Sequence, residues 1–175
     1  MTNMLPGNPF LAKGIALRPA NPGDKAFLVT LYQGTRDDLW LIDHEEEFIR
    51  TLIDQQMHLQ TRIYGENHPD AMHLIIEKLG TPIGRVMVSF REREVRVLDI
   101  SLIPGARRQG FGTAVLRALQ QAATQVMTPL TLCVRGQDQT AKTFYHALGF
   151  HLAASQPMFD LLIWRPPLPS PQSST

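Results

Sequence analysis

Apolar residues recur at helical spacing twice in the first third of the chain. Ala26, Phe27, Leu28, Leu31 and Tyr32 form the first set, and that three-to-four spacing predicts an amphipathic helix. Asn21-Pro22-Gly23-Asp24 precedes it as a turn, with Asn21 or Asp24 as the cap. Before the turn, Gly14-Ile15-Ala16-Leu17-Arg18-Pro19 reads as a short strand stopped by proline. A second, longer helix opens near Asp43. Glu45, Glu46 and Glu47 fall in its first turn, where the helix dipole favours negative charge. Phe48, Ile49, Leu52, Ile53, Leu59 and Ile63 predict its buried stripe, and Gly65 to Pro69 its end.

From Met72 onward the period shortens. Three runs rich in Val, Ile and Leu follow: Met72 to Leu79, Ile83 to Phe90 and Val95 to Ile103. Gly80-Thr81-Pro82 and Arg91-Glu92-Arg93-Glu94 separate them, and such tight connections predict an antiparallel meander. Val115, Leu116, Leu119, Ala122 and Ala123 then share a helix face. Pro129 to Val134 is a strand broken by Gly136. Gln139 to Leu148 is a helix capped by Gly149. Phe150 to Ala154 and Met158 to Trp164 are two last strands. The order β-α-α-β-β-β-α-β-α-β-β describes a mixed α/β sheet with no internal repeat. Pro166 to Thr175 is Pro/Ser-rich with little to bury, which predicts disorder.

Length and composition narrow the class. The 175 residues suit one domain, with 1–13 as an N-terminal extension, 14–165 as the folded unit and 166–175 as a tail. Apolar residues at 43% and charged residues at 19% are those of a globular protein. Seventeen Lys plus Arg against sixteen Asp plus Glu leave a net +1, without the basic surplus of a nucleic-acid binder. One cysteine makes neither an internal disulfide nor a multi-cysteine zinc site. No apolar run reaches the about 18 residues of a membrane helix, and Met1 to Gly14 has no signal-peptide core. These features lead us to expect a cytoplasmic protein without a metal, and without membrane or nucleic-acid partners.

The chemistry concentrates between Ile100 and Thr113, where a strand runs into Pro104-Gly105-Ala106-Arg107-Arg108-Gln109-Gly110-Phe111-Gly112 and the loop opens a helix. The first turn of a helix has unpaired N–H groups and the positive end of the dipole, which together bind phosphate. Gly110 and Gly112 leave the backbone open, and Arg107 and Arg108 add forked donors. A nucleoside-triphosphate loop would need Lys-Ser or Lys-Thr after its last glycine, where Phe111-Gly112 stands. A dinucleotide fingerprint would need a third glycine where Val115 stands.

Arg107-Arg108-Gln109-Gly110-Phe111-Gly112 instead matches Arg/Gln-x-x-Gly-x-Gly/Ala, and here the chain resembles the GNAT superfamily of acyl-coenzyme A-dependent N-acetyltransferases. Leu102-Ile103-Pro104 before it is similar to the family, as is Ala141-Lys142-Thr143-Phe144-Tyr145-His146-Ala147-Leu148-Gly149-Phe150. Leu17-Arg18-Pro19-Ala20 is a weaker match, and the resemblance spans about Ile15 to Trp164. It implies an α/β fold of the α+β type, a mostly antiparallel, partly splayed mixed sheet flanked by helices. It also implies acetyl transfer from acetyl-CoA to a primary amine by direct attack, a small-molecule amine being favoured. Acetylation of a protein N-terminus or lysine, and a non-catalytic acyl-CoA-binding module, remain as alternatives. Monomer and homodimer are both open.

Residue roles follow from the resemblance. Leu102, Ile103, Arg107, Arg108, Gln109, Gly110, Phe111, Gly112 and Thr113 are implied to hold acetyl-CoA. The N–H groups of Ile100 to Ile103 are implied to face the thioester oxygen. Tyr145 matches the tyrosine that protonates the departing sulfur; a phenol near pKa 10 suits that task. Asp138 stands where the family has Asn. It is a coenzyme A contact or simply a helix cap, since an ionised carboxylate accepts but does not donate. Asp99 interrupts an apolar strand and is either the candidate for binding or deprotonating the amine or a structural aspartate paired with an arginine or a backbone N–H. Simple alternation places it on one face with Val97, Ser101 and Ile103. Glu94 is a second, weaker base candidate. His58 and Tyr64 are expected on the acceptor side, Trp40 in packing, and Cys133 as a small buried thiol.

Overall fold

The computed structural model of the protein describes residues 10–170. Most of the expected N-terminal extension and the end of the Pro/Ser-rich tail lie outside the described residues. Eight strands form one sheet: β1 (Phe10–Leu11), β2 (Ile15–Pro19), β3 (Met72–Lys78), β4 (Thr81–Phe90), β5 (Val95–Leu102), β6 (Leu130–Arg135), β7 (His151–Ser155) and β8 (Phe159–Trp164). Their order is β1-β2-β3-β4-β5-β6-β8-β7. The expected meander is there as β3-β4-β5, and neighbouring strands are antiparallel except β5 and β6, which run parallel. Among the described residues there are five α-helices, α1 (Lys25–Gln33), α2 (Asp37–Trp40), α3 (Glu46–Asn67), α4 (Phe111–Gln125) and α5 (Gln139–Ala147). Two elements went unread in the sequence. They are β1, a two-residue edge strand, and α2, a single turn too short for periodicity to register.

Helices cover both faces of the sheet. Val115, Leu116, Leu119 and Ala123 of α4 pack with Val86, Val88, Val95 and Val97 in the main core. On the opposite face Tyr32, Leu39, Ile49 and Ile53 tie α1, α2 and α3 into a second cluster. The predicted stripe of α3 is only half correct. Ile49 and Ile53 are buried, whereas Phe48, Leu59 and Ile63 are exposed. This follows from what the helix packs on: α1 and α2 are short and cover only part of its length. Cys133, expected to be buried, is exposed. Its neighbours Leu132 and Val134 face the α4 core, so it points to the other side of β6.

The entry to α1 is pinned by charge. Arg18 donates from both terminal nitrogens to the Asp24 carboxylate at 2.8 Å, and from Nε to Glu77 at 2.6 Å. The Asn21 N–H also donates to Asp24 (2.8 Å), while the Asn21 side chain accepts from the Gly23 N–H. The Arg18 guanidinium, and after it the Asn21 N–H, hold the buried Asp24 carboxyl at about 2, below its ordinary value of 3.8. A carboxyl depressed in the folded state stabilises it fully above the unfolded pKa and stops doing so as pH falls through the folded one. Asp24→Asn is therefore expected to lower the thermal midpoint at pH 6. The deficit against the wild type should shrink between about pH 4 and pH 2. Thermal melts across that range check it; a deficit constant with pH would contradict the assignment.

Candidate functional site

The one parallel strand pair makes the opening in the sheet. β5 and β6 are in register only through Val95–Leu130, Arg96–Thr131 and Val97–Leu132. Beyond Val97 the strands diverge, and the β6-facing edge of β5 has no strand partner. A bulge falls at the same point. Val88 pairs with Val97 and Met87 with Asp99, so Leu98 is the extra residue. Its carbonyl accepts from the Tyr64 hydroxyl of α3 at 3.2 Å.

The bulge overturns the simple alternation of side chains. Val97 points into the α4 core, and so do Ile100 and Leu102. Asp99 and Ser101 point to the opposite face, toward α1 and α3. Asp99 thus shares a face with Ser101 as expected, but not with Val97 or Ile103. The candidate thioester donors narrow too. The Ile103 N–H donates to the Ile83 carbonyl at 2.9 Å within the ladder. In an antiparallel ladder alternate residues face the same neighbour. Ser101 therefore also turns its N–H to β4, and those of Ile100 and Leu102 face the gap.

At the end of β5 the chain forms a 3-10 turn, Pro104–Ala106, and then a tight loop. Arg108 (φ 58°) and Gly110 (φ 83°) are both left-handed, and Gly110 is the N-cap of α4. The first bond of the helix runs from the Ala114 N–H to the Gly110 carbonyl (3.1 Å). The N–H groups of Phe111, Gly112 and Thr113 therefore lie before the helical ladder begins. Phe111 is buried in the core and offers only its backbone. A Cβ on Gly112 would meet protein atoms no nearer than 3.8 Å. The protein itself thus leaves space there, as a cradle for a ligand would require. Arg107 braces the loop: its guanidinium donates to the carbonyls of Leu102 and Gly34, both at 3.0 Å. Gln109 donates to the Gly105 carbonyl at 2.6 Å. Arg108 is exposed.

Sequence reasoning missed a cation at this loop. The Lys13 ammonium donates to the Gln109 carbonyl at 2.6 Å and lies 2.7 Å from where a Cβ on Gly110 would be. It reaches the loop because the chain turns back at Lys13 and Gly14, both at positive φ. Only the tertiary fold joins positions 96 residues apart.

Tyr145 stands on α5, half-buried, edge-on to Phe144 and Phe150 with ring centres 5.2 and 5.7 Å away. Among the described residues its hydroxyl has no hydrogen-bond partner. Burial raises its pKa to about 12, with smaller contributions from the Asp99 and Asp138 carboxylates. Asp138 is the N-cap of α5: its carboxylate accepts from the Ala141 N–H at 2.9 Å. Lys142 anchors the same helix through the Gly136 carbonyl and the Asp160 carboxylate, both at 2.5 Å.

A cavity of about 270 Å³ opens on the α1–α3 side of the gap. Arg36, Gln60, Arg85, Asp99, Ser101 and Arg135 are among its walls. The Asp99 carboxylate accepts from Arg85 Nε (2.9 Å) and from the Ser101 hydroxyl (3.0 Å). Glu94, the second base candidate, is at the far end of β5, with Arg96 at 3.2 Å and the Thr131 hydroxyl at 2.7 Å. His58 is exposed on the outer side of α3, bonded to the Asp54 carbonyl. Trp40 packs with the second cluster, under the Arg50 guanidinium. Among the described residues no group of three His, Cys, Asp or Glu is placed to hold a metal, and no helix is long and apolar enough to cross a membrane.

A splayed parallel pair, a bulged strand at the gap and a glycine loop opening a helix define the acyltransferase class to which the motifs point. The model of the acetyltransferase (GNAT) family matches residues 29–150, and the chain belongs to that family. Solved structures share the fold. PaiA N-acetyltransferase of Thermoplasma acidophilum, in complex with coenzyme A, is 17% identical with a TM-score of 0.64, over 86% of this chain and 98% of that one. An acetyltransferase of Thermus thermophilus is 17% identical with a TM-score of 0.63, over 86% and 96%. The ribosomal-protein-S18-alanine N-acetyltransferase of Escherichia coli is 14% identical with a TM-score of 0.63, over 92% and 99%. No curated protein sequence matches. The protein is a GNAT-type acetyl-CoA-dependent acetyltransferase.

Proposed function

We propose that the protein transfers the acetyl group of acetyl-CoA to the primary amine of a small molecule by direct attack. The observation that carries this reading is the β5–β6 gap beside the α4 loop, where the Ile100 and Leu102 N–H groups have no strand partner among the described residues and Tyr145 packs against the same core as those two residues. The pyrophosphate would lie against the N–H groups of Phe111, Gly112 and Thr113, with Lys13 and Arg108 adding positive charge. Arg107 and Gln109 hold the loop in shape. Leu102 and Ile103 line the passage toward the gap. The Ile100 and Leu102 N–H groups face the thioester oxygen as negative charge develops there. Asp99 already accepts from Arg85 and Ser101. It retains room for one further donor, an amine or a water. Domain limits of 14–165 suit this reading, with Lys13 added from the preceding segment.

Calorimetric titration with acetyl-CoA tests the reading directly, and two variants refine it. Lys13→Ala removes a charge-assisted contact, worth about 1–1.5 kcal/mol, and should raise the Kd about five- to tenfold. Asp138→Ala removes a helix cap, at a stability cost of about 1 kcal/mol, and should leave the Kd unchanged. Absence of saturable acetyl-CoA binding in the wild type would refute the function.

A further inference from the structure

The wall of the acceptor-side cavity has an unbalanced charge. Three guanidinium groups line it, from Arg36, Arg85 and Arg135, against a single carboxylate, Asp99. Arg85 and Asp99 neutralise each other, and both are largely buried, with side chains 12% and 21% exposed. Arg36 has its carboxylate partner, Asp38, outside the cavity wall, and is also bonded to Gln56 and the Tyr32 hydroxyl. Arg135, the last residue of β6, has no ion-pair partner among the described residues. It stands across the splayed gap from Asp99 and Ser101 because β5 and β6 are parallel and diverge toward their C-terminal ends.

An amine is a cation before it reacts. With Arg36 paired to Asp38 and Arg85 to Asp99, the uncompensated charge on the wall is that of Arg135, which disfavours a simple monoamine, and a polyamine more strongly. It attracts an acceptor whose amine is accompanied by an anionic group, since guanidinium forks match carboxylate and phosphate oxygens. We propose that the acceptor is an amine bearing a carboxylate or phosphate. The anion is held by Arg135 with help from Arg36 and Arg85, and the amino group is presented to the gap beside Asp99. This rests on the acetyl-transfer reading above and specifies its substrate class. Excess positive charge rimming the cavity then serves selectivity: the same arginines that hold the anion disfavour diamines.

A thiol-release assay with acetyl-CoA and matched acceptors tests the proposal: free α-amino acids, their α-amides, 2-aminoethyl phosphate and diaminoalkanes. We expect one anionic set, carboxylates or phosphate, to exceed the amides and diamines by at least tenfold in kcat/KM. Which set leads identifies the anion. Arg135→Ala should reduce that preference ratio at least tenfold, and Arg135→Lys should restore part of it. Equal or better turnover of amides and diamines overturns the proposal, as does a ratio that survives Arg135→Ala. Were acetyl-CoA itself not to bind, the enzymatic reading would fail separately. The anion site is then read by calorimetric titration with inorganic phosphate and with acetate: saturable binding abolished by Arg135→Ala supports it, and no such binding overturns it.

Discussion

Tyr145→Phe should lower kcat by about 100- to 1,000-fold, the range of a positioned proton donor, with the acetyl-CoA Kd unchanged within twofold. The substitution removes only a hydroxyl. Phe at this position keeps both edge-on ring contacts, with Phe144 and Phe150, so the thermal midpoint should not fall. A merely structural tyrosine would give the opposite pattern, near-normal turnover with or without a shift in stability. The pH dependence separates the roles further. With its pKa at about 12, the Tyr145 hydroxyl stays protonated across the working range. The wild-type rate should show no descending limb from this group near pH 10. The same displacement defines how the hydroxyl acts. An ordinary thiol titrates near 8.5, so moving the proton outright from this phenol to a thiolate is uphill by about 5 kcal/mol. On the proposed reading, Tyr145 would serve the departing sulfur chiefly as a hydrogen-bond donor, rather than as the matched acid that an unperturbed phenol would be.

Gly84→Ala should cost the fold rather than a single step. Gly84 pairs with Leu102 across β4 and β5. A Cβ there would overlap the Ser101 carbonyl oxygen and stand 2.8 Å from Leu102 Cδ2. In an uncrowded strand the change would help slightly, because alanine restricts the unfolded chain. Here the overlap is with backbone and cannot be relieved by a rotamer. Over-packing of this kind costs about 1–3 kcal/mol. For a chain of this size that is a fall of about 2–12 °C in the thermal midpoint. Differential scanning calorimetry measures it, and an unchanged midpoint would mean that the two strands are not so close. Relief requires β5 to move away from β4. That displaces Ser101 and Asp99 relative to Arg85, so activity should fall even in the fraction that remains folded.

Much of this was written locally. The meander, the helix after Gly110 and the helix before Gly149 follow from hydrophobic period and turn residues. The loop of residues 107–112 is one continuous segment, and its glycines stand in the motif itself. Its residues, and the family, are therefore legible in the chain itself. Asp138 as a cap is local as well: the carboxylate and the Ala141 N–H are three residues apart.

What required the tertiary structure is whatever depends on two distant segments or on a single inserted residue. The bulge at Leu98 turned Asp99 away from Val97, because one extra residue reverses every later side chain in a strand of period two. The Ile103 N–H was lost to the ladder because Ile83 happens to lie opposite. Exposure of Phe48, Leu59 and Ile63 depended on how far neighbouring helices reach, which no pattern within α3 records. Lys13 at the loop, and Arg36, Arg85 and Arg135 around one cavity, come from segments that periodicity reads one at a time. Sequence by itself determined most of the elements, the glycine loop and the class of chemistry, since these rest on local backbone geometry. The charge of the cavity beside the gap was decided only by the fold, because it is the sum of side chains brought together from the α1–α2 turn, β4, β5 and β6.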